Sequence, residues 1–162
     1  MEEFNKEEIF ESTEILEFVL NDDDSSQKYA VEVVYVNEVY SIKNVTMLPC
    51  TPAFIVGIMN FRGKIISVID IRNFLGFTVA KINADNVKKV IVINMDEIEV
   101  GIAIDGILGC KNISLSEIQK NISTITNFNA NYFKGVTKER SIVLDIKNII
   151  MDEKFIVNED II

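Results

Sequence analysis

Histidine is absent from this sequence of 162 residues, and its absence excludes several kinds of chemistry. Ser-His-Asp and Cys-His catalytic groups both need an imidazole, which is also the commonest protein ligand for transition metals. The chain also lacks the side chain that is phosphorylated in histidine kinases. Carboxylate pairs and lysine-based chemistry remain open, because any fold can bring distant acidic residues together.

Cysteine and long apolar runs are scarce as well. Cys50 and Cys110 fit neither a disulfide framework nor a Cys-x-x-Cys metal site, so we expect both to be thiols that fill the core. No run approaches the roughly 20 apolar residues of a membrane-spanning helix, and the acidic start is unlike a secretory signal. We therefore expect a cytoplasmic protein without direct membrane insertion.

The common nucleotide, nucleophile and calcium-binding motifs are also missing. Gly57 to Lys64 resembles a phosphate-binding loop at first sight, but five residues rather than four separate its glycines. Ile65 also stands where Ser or Thr would hold magnesium. We predict no catalytic residues, no cofactor and no metal site, and hence a protein that is not an enzyme.

Negative charge is concentrated at the N-terminus. Residues 1–24 hold ten acidic residues and one lysine, whereas the whole chain holds 25 acidic and 16 basic residues. The remainder therefore has 15 of each and is formally neutral. Because a neutral body lacks the broad basic face that steers nucleic acid, we expect no nucleic-acid partner. The acidic leader, residues 1–13, is interpreted as a solvated end.

Short apolar, β-branched runs between turn signals predict a mostly β protein. The expected strands are 15–20, 29–33, 57–61, 64–70, 90–93, 99–105, 132–137 and 141–145. Short helical turns are expected at 53–56 and 71–75, the second ended by Gly76. Ser114 and Glu117 have the spacing of a capping box.

An internal repeat relates these elements. Residues 68–75 (VIDIRNFL) align with 143–150 (VLDIKNII) at an offset of 75, and each segment is a strand that ends in Asp before a basic helical turn. A weaker similarity relates 29–36 to 100–107. Chance similarity of two hydrophobic junctions is the alternative. Two small barrels with a common core would fit both the length and the repeat, since closure removes exposed sheet edges.

Residues 51–72 (TPAFIVGIMNFRGKIISVIDIR) resemble the signature of the CheW-like family, in which a Pro-x-Phe helix leads to Gly-(Val/Ile)-x-Asn-(Leu/Phe)-Arg-Gly. The resemblance covers about 14–151, which would form one domain before a tail at 152–162. It implies a mainly β fold of two small five-stranded SH3-like barrels that share one hydrophobic core, with short helices.

The resemblance also implies a function without catalysis. Proteins of this family link methyl-accepting chemotaxis receptors to the histidine kinase CheA in membrane-associated arrays. The expected partners are the regulatory domain of CheA and the cytoplasmic tip of the receptors, and the isolated chain is expected to be monomeric. The alternatives are a paralogue that competes with or replaces the kinase-coupling adaptor, and a β-barrel small-ligand module or enzyme.

By resemblance, the receptor contact lies in the groove between the two subdomains. The residues carried over to it are Val36, Glu38, Val39, Arg62, Gly101 and Asp105. A second set has either kinase-binding or adaptor-binding roles or structural roles in a turn, and consists of Gly57, Asn60 and Gly63. Two alternatives concern the fold itself: Arg62 would pair with Asp70 or another carboxylate of its own chain, and Val36 and Val39 would be core residues. Ser67 replaces a proline that is frequent in the family.

Overall fold

The computed structural model describes residues 11–22, 24–42, 44–77, 82–120 and 130–152. Residues 1–10 of the predicted leader, residues 153–162 of the predicted tail and most of the polar stretch before Asn131 lie outside the described residues. Within these ranges, no helix has both the length and the apolar character needed to cross a membrane.

Ten strands and two short α-helices form the described fold, which confirms the mainly β prediction. The first sheet contains β1 (Ser12–Asn21), β2 (Ser26–Glu32), β8 (Gly106–Ser114), β9 (Phe133–Val136) and β10 (Ile142–Leu144). The second contains β3 (Val36–Ser41), β4 (Ile55–Phe61), β5 (Lys64–Ile69), β6 (Lys89–Met95) and β7 (Ile98–Ile104). Helix α1 (Ile71–Leu75) follows β5, and α2 (Ile146–Ile150) follows β10.

The two sheets have equivalent topologies. Their strand orders are β8-β1-β2-β10-β9 and β3-β6-β7-β5-β4, and each contains one parallel pair. In the first sheet Ala30 lies opposite Val143, and in the second Gly101 lies opposite Val68. Positions 68 and 143 are related by the strong repeat, and positions 30 and 101 by the weaker one. Both repeats are therefore structural and not chance similarities.

Each sheet closes on itself through one short bridge. Thr46, after β3, exchanges two backbone hydrogen bonds with Ile58 of β4, at 2.9 and 2.8 Å. Gln119, after β8, exchanges the same pair with Val136 of β9, at 3.0 and 2.9 Å. These bridges link the two edge strands of each sheet, which confirms the prediction of two five-stranded barrels.

Glycine allows the bridging segments to approach this closely. A Cβ atom at Gly57 would lie 2.4 Å from the carbonyl oxygen of Thr46, and one at Gly135 would lie 2.5 Å from that of Gln119. Both distances are far shorter than van der Waals contact. Gly57, which lies within β4, is therefore required for close packing.

One hydrophobic core joins the barrels. Buried side chains from the first sheet, among them Phe18 and Leu144, pack in the same cluster as Ile91 and Ile102 of the second. Phe74 of α1 is also part of this cluster. A smaller cluster fills the second barrel alone, and another lies on the first sheet. The predicted common core is confirmed.

Both helices begin at the aspartates of the repeat. The side chain of Asp70 accepts a hydrogen bond from the backbone N–H of Arg72, and that of Asp145 accepts one from Asn148. Gly76 ends α1 with a φ of 93°, a conformation that favours glycine. The Ser114–Glu117 capping box is also present, although it caps only a single 3₁₀ turn.

Two expectations from the sequence are wrong. Cys50 and Cys110 are exposed rather than buried, because Cys50 lies in a turn with a φ of 59° and Cys110 lies on the outward side of edge strand β8. The helical turn expected at 53–56 is also shorter than predicted. Only Ala53 and Phe54 form a turn, since Ile55 and Val56 already belong to β4 and are buried in the sheet.

Candidate functional site

Glu38 and Arg62 form an ion pair on the second barrel. Arg62 occupies the tight turn between β4 and β5, and its Nη2 lies 3.4 Å from Oε2 of Glu38 on β3. The Arg62 side chain is 65% exposed, and the Glu38 side chain is 36% exposed. Of the internal partners expected for Arg62, the structure therefore selects another carboxylate, Glu38, and not Asp70, which binds Arg72.

The turn that carries Arg62 is defined by local backbone chemistry. Arg62 and Gly63 both have positive φ angles, 52° and 82°, as a two-residue hairpin turn of type I′ requires. The N–H of Gly63 donates to Oδ1 of Asn60 at 3.1 Å. Asn60 and Gly63 thus shape the turn that carries Arg62.

Two aromatic rings lie next to the ion pair. The guanidinium carbon of Arg62 lies 5.1 Å from the centroid of the Phe61 ring, within cation–π range. The Phe61 ring in turn contacts Tyr40 edge to face, with centroids 5.8 Å apart. We call Glu38, Tyr40, Phe61 and Arg62 the β3–β5 corner.

A second polar link runs beside this corner. Glu99, at the start of β7, accepts a hydrogen bond from Asn37 of β3 at 3.4 Å and pairs with Lys64 of β5 at 3.1 Å. Its side chain is only 13% exposed. Sequence analysis missed these three residues, since nothing in the local pattern shows that β3, β5 and β7 meet at one end of a barrel.

Exposed apolar side chains lie on the same strands. Val39 and Tyr40 on β3 are 39% and 37% exposed, and Ile65 on β5 is 58% exposed. Val36 is half-buried and packs against the main core, so it is in part a core residue. Val39 is not a core residue. Successive residues of a strand point to opposite faces, so Tyr40 shares the face of Glu38 and Val39 does not. The corner therefore combines both signs of charge with the exposed ring of Tyr40.

Gly101 and Asp105 do not belong to this corner. Gly101 is buried within β7, where a Cβ atom would lie 2.4 Å from Cγ1 of Val90. Asp105 follows the end of β7 and lies about 20 Å along the strand from Glu99, at roughly 3.3 Å per residue. Its Oδ2 accepts a hydrogen bond from the backbone N–H of Asn21 at 2.6 Å. The structure thus brings Glu38 and Arg62 together and separates Asp105 from them.

The first barrel has a corresponding ion pair with the charges reversed. Lys111 on its edge strand β8 lies 2.6 Å from Glu139, between β9 and β10. The hydrogen bond to Glu139 raises the pKa of Lys111, and the same bond lowers the pKa of Glu139. Lys111 also lies 3.2 Å from Glu17, which accepts a short hydrogen bond from Ser141.

The enzyme alternative receives little support from the described cavities. One cavity of about 200 Å³ lies between the β1–β2 turn and α1, and Asp22 is the one carboxylate among its described lining residues. Arg72, which also lines it, is already bound by Asp70. In the part of the chain that the structure describes, no group of three or more His, Cys, Asp or Glu residues is placed to hold a metal ion.

Two closed barrels around one core, with charged corners on the surface, define the class: a twin-barrel protein suited to surface recognition. The family model for the CheW-like domain matches residues 14–154. The chain therefore belongs to the CheW-like family of chemotaxis adaptors, which confirms the family and the adaptor function expected from the signature.

Individual relatives are similar over most of their length. The chain is 28% identical to a chemotaxis protein CheW of Treponema pallidum over 126 residues, which is 75% of this chain and 74% of that protein. It is 28% identical to a CheW of Thermotoga maritima over 140 residues, 85% of this chain and 87% of the relative. The crystal structure of the scaffolding protein TtCheW from Thermoanaerobacter tengcongensis matches with a TM-score of 0.67 and 22% identity, covering 88% of this chain and 94% of that one. This last likeness supports the fold.

Proposed function

We propose that this chain couples the cytoplasmic tips of methyl-accepting receptors to the regulatory domain of the kinase CheA, by binding both without catalysis. It would do so in the cytoplasm, recruited to membrane-associated receptor arrays. The observation that carries the proposal for the site is the half-exposed Glu38–Arg62 pair, which lies beside the exposed ring of Tyr40 on a barrel of this family.

The chemistry of the β3–β5 corner suits a helical partner. A receptor tip is a helical hairpin, and an amphipathic helix is recognised by apolar surface flanked by charges. Tyr40 provides exposed apolar area at the corner, while Glu38 and Arg62 provide one charge of each sign. Because an exposed ion pair contributes only about 0–1 kcal/mol, Glu38 and Arg62 can exchange their mutual contact for contacts with a partner at little cost.

The second predicted set supports this corner from within the fold. Asn60 and Gly63 shape the turn that presents Arg62, and Gly57 allows the barrel to close. We therefore propose that these three residues affect partner binding through the position of Arg62. Direct contact with the kinase or with a second adaptor is the alternative role for the exposed Asn60 and Gly63.

Two linked measurements test the proposal. The folded chain should be captured by a receptor-tip hairpin and by the CheA regulatory domain in separate pull-downs, and it should raise kinase activity when receptor and kinase are both present. Capture of neither partner by folded protein would refute the proposal. Receptor capture without any rise in kinase activity would instead identify the competing paralogue.

A further inference from the structure

The backbone N–H of Asn21, the last residue of β1, donates to Oδ2 of Asp105 at 2.6 Å, and the Asn21 carbonyl oxygen accepts from Nη1 of Arg72 at 3.1 Å. Asn21 belongs to the first sheet, whereas Arg72 lies on α1, which follows β5 of the second sheet, and Asp105 is the residue between β7 and β8. The backbone of Asn21 thus contacts both the second barrel and the segment that links the two barrels.

Arg72 is held in the orientation that this contact needs. Its Nε and Nη2 donate to the two carboxylate oxygens of Asp70 at 3.2 and 3.3 Å. Asp70 is fully buried and also accepts from the side chain of Asn73 at 2.9 Å. A bidentate pair of this kind fixes the plane of the guanidinium group, so Nη1 is directed at the Asn21 carbonyl without further ordering.

Asp105 lies where the chain passes between the barrels. It is the single residue between β7 of the second sheet and β8 of the first. Its own N–H donates to the carbonyl oxygen of Val19 at 3.0 Å, so both its backbone and its side chain bind the end of β1. The contact from its carboxylate to the Asn21 N–H is charge-assisted and short.

We infer that Asp105 and Arg72 are positioning residues, which clamp the Asn21 backbone and thereby fix the first barrel against the second. In this role Asp105 affects receptor binding through the relative position of the two barrels and not by touching the receptor. That consequence rests on the proposed function. The clamp itself depends only on the contacts at Asn21.

The test compares Asp105→Ala with Asp105→Asn, which keeps an acceptor oxygen but removes the charge. Glu97→Ala is the matched control, since it removes an exposed carboxylate from the opposite end of β7. Arg72 is left intact, because its removal would strand Asp70 as a buried unpaired charge. Native-state amide exchange of Asn21, measured by NMR, should be about tenfold faster in Asp105→Ala, about threefold faster in Asp105→Asn, which loses the charge assistance, and unchanged in Glu97→Ala.

Barrel orientation has its own readout. Cys50 and Cys110 are exposed free thiols, and they lie on the second and first barrels respectively. Spin labels on these native cysteines should give a single narrow distance distribution in the unaltered chain and in Asp105→Asn. The distribution should broaden or shift in Asp105→Ala. Identical exchange or identical distances in Asp105→Ala and the unaltered chain would overturn the inference.

Receptor capture then separates positioning from direct contact. A positioning role predicts that capture falls severalfold in Asp105→Ala and is largely retained in Asp105→Asn. Equal loss in both variants would mean that the receptor reads the charge of Asp105 directly, against the inference. If the unaltered chain captures no receptor, the proposed function fails, and the exchange and distance measurements still decide whether the clamp exists.

Discussion

Glu38 and Arg62 lie at opposite edges of the same five-stranded sheet, yet their side chains meet at 3.4 Å. The contact is possible because the sheet is closed, so that β3 and the β4–β5 turn become neighbours across the seam. The first barrel places Lys111 and Glu139 across its own seam, 2.6 Å apart. Each barrel thus carries one ion pair at its closure, with the signs of charge exchanged between strand and turn.

Exchanging the charges of the Glu38–Arg62 pair separates its contribution to stability from its role in partner binding. Glu38→Lys and Arg62→Glu should each change the free energy of unfolding by less than about 1 kcal/mol, since the pair is exposed. Each should abolish receptor capture. The double variant restores the ion pair within the barrel but presents reversed charges to a partner, so it should be as stable as the unaltered chain and still fail to bind. Urea denaturation and a receptor pull-down measure the two quantities.

A charge reversal at the seam of the first barrel is the control. Glu139→Lys matches the single reversal Glu38→Lys, keeps the contact of Lys111 with Glu17, and should leave receptor capture unaffected. If the Glu38/Arg62 double variant binds receptor normally, the pair serves barrel closure alone and the proposed site is elsewhere.

Three glycines should differ in their tolerance of a methyl group. Gly57→Ala places Cβ 2.4 Å from a backbone oxygen and should cost about 3 kcal/mol, because the bridging segment must move. Gly63→Ala meets no atom within 4 Å but has a φ of 82°, so strain of about 1–2 kcal/mol is expected. Gly135→Ala combines crowding with a φ of 143° and should be the most destabilising. Thermal and chemical unfolding of the three variants give the order, which an equal loss in all three would contradict.

Two fully buried serines should respond to alanine in opposite directions. Among the described residues, the hydroxyl of Ser67 has no hydrogen-bond partner, whereas that of Ser141 donates to the buried carboxylate of Glu17. Removing an unsatisfied buried hydroxyl should stabilise the protein by about 1 kcal/mol, and removing a partner of Glu17 should destabilise it by about 1–3 kcal/mol. Equilibrium unfolding in urea measures both. Destabilisation by Ser67→Ala would show that the hydroxyl is satisfied in solution.

Tyr29 should make the fold sensitive to alkali. Burial raises the pKa of Tyr29 from 10.0 to about 12, with Asp70 adding to the increase and Arg72 opposing it. Since the pKa is higher in the folded state, this stabilisation is complete below pH 10 and is lost as the pH rises towards 12. The loss due to Tyr29 between pH 9 and pH 11 should be about 1 kcal/mol.

The Tyr29→Phe variant isolates that loss from other titrations. The unfolding free energy of the unaltered chain should fall more steeply between pH 9 and pH 11 than that of the variant. Tyr40→Phe, which removes a hydroxyl from an exposed side chain, should keep the steeper slope. Parallel curves for the unaltered chain and Tyr29→Phe would show that the hydroxyl titrates as freely in the folded state as in the unfolded one.

Features determined by local chemistry were predictable from the sequence. Asp70 and Asp145 each end a strand and cap a helix, and such junctions need only neighbouring residues. The turn at Arg62 and Gly63 follows from the glycine and the flanking apolar runs. The repeat predicted the twin barrels, because equivalent residues occupy equivalent registers in the two sheets.

Features that depend on distant segments were not predictable in this way. Glu99 joins strands that are far apart in the chain, and its partners become neighbours only when the barrel closes. The contact of Asp105 with Asn21 spans 84 positions. Cys50 and Cys110 were assigned to the core from residue type alone, but a turn and an edge strand determine their exposure.

The interleaving of the two sheets has a consequence for synthesis. The strands of the second barrel all lie between residues 36 and 104, whereas the first barrel needs β1 and β2 from the beginning of the chain and β8 to β10 from near its end. As the polypeptide leaves the ribosome, the second barrel can assemble before β10, the parallel neighbour of β2, has been synthesised. Folding should therefore proceed from the middle of the chain outward, and a ribosome stalled before residue 142 would display a closed barrel beside an unfinished one.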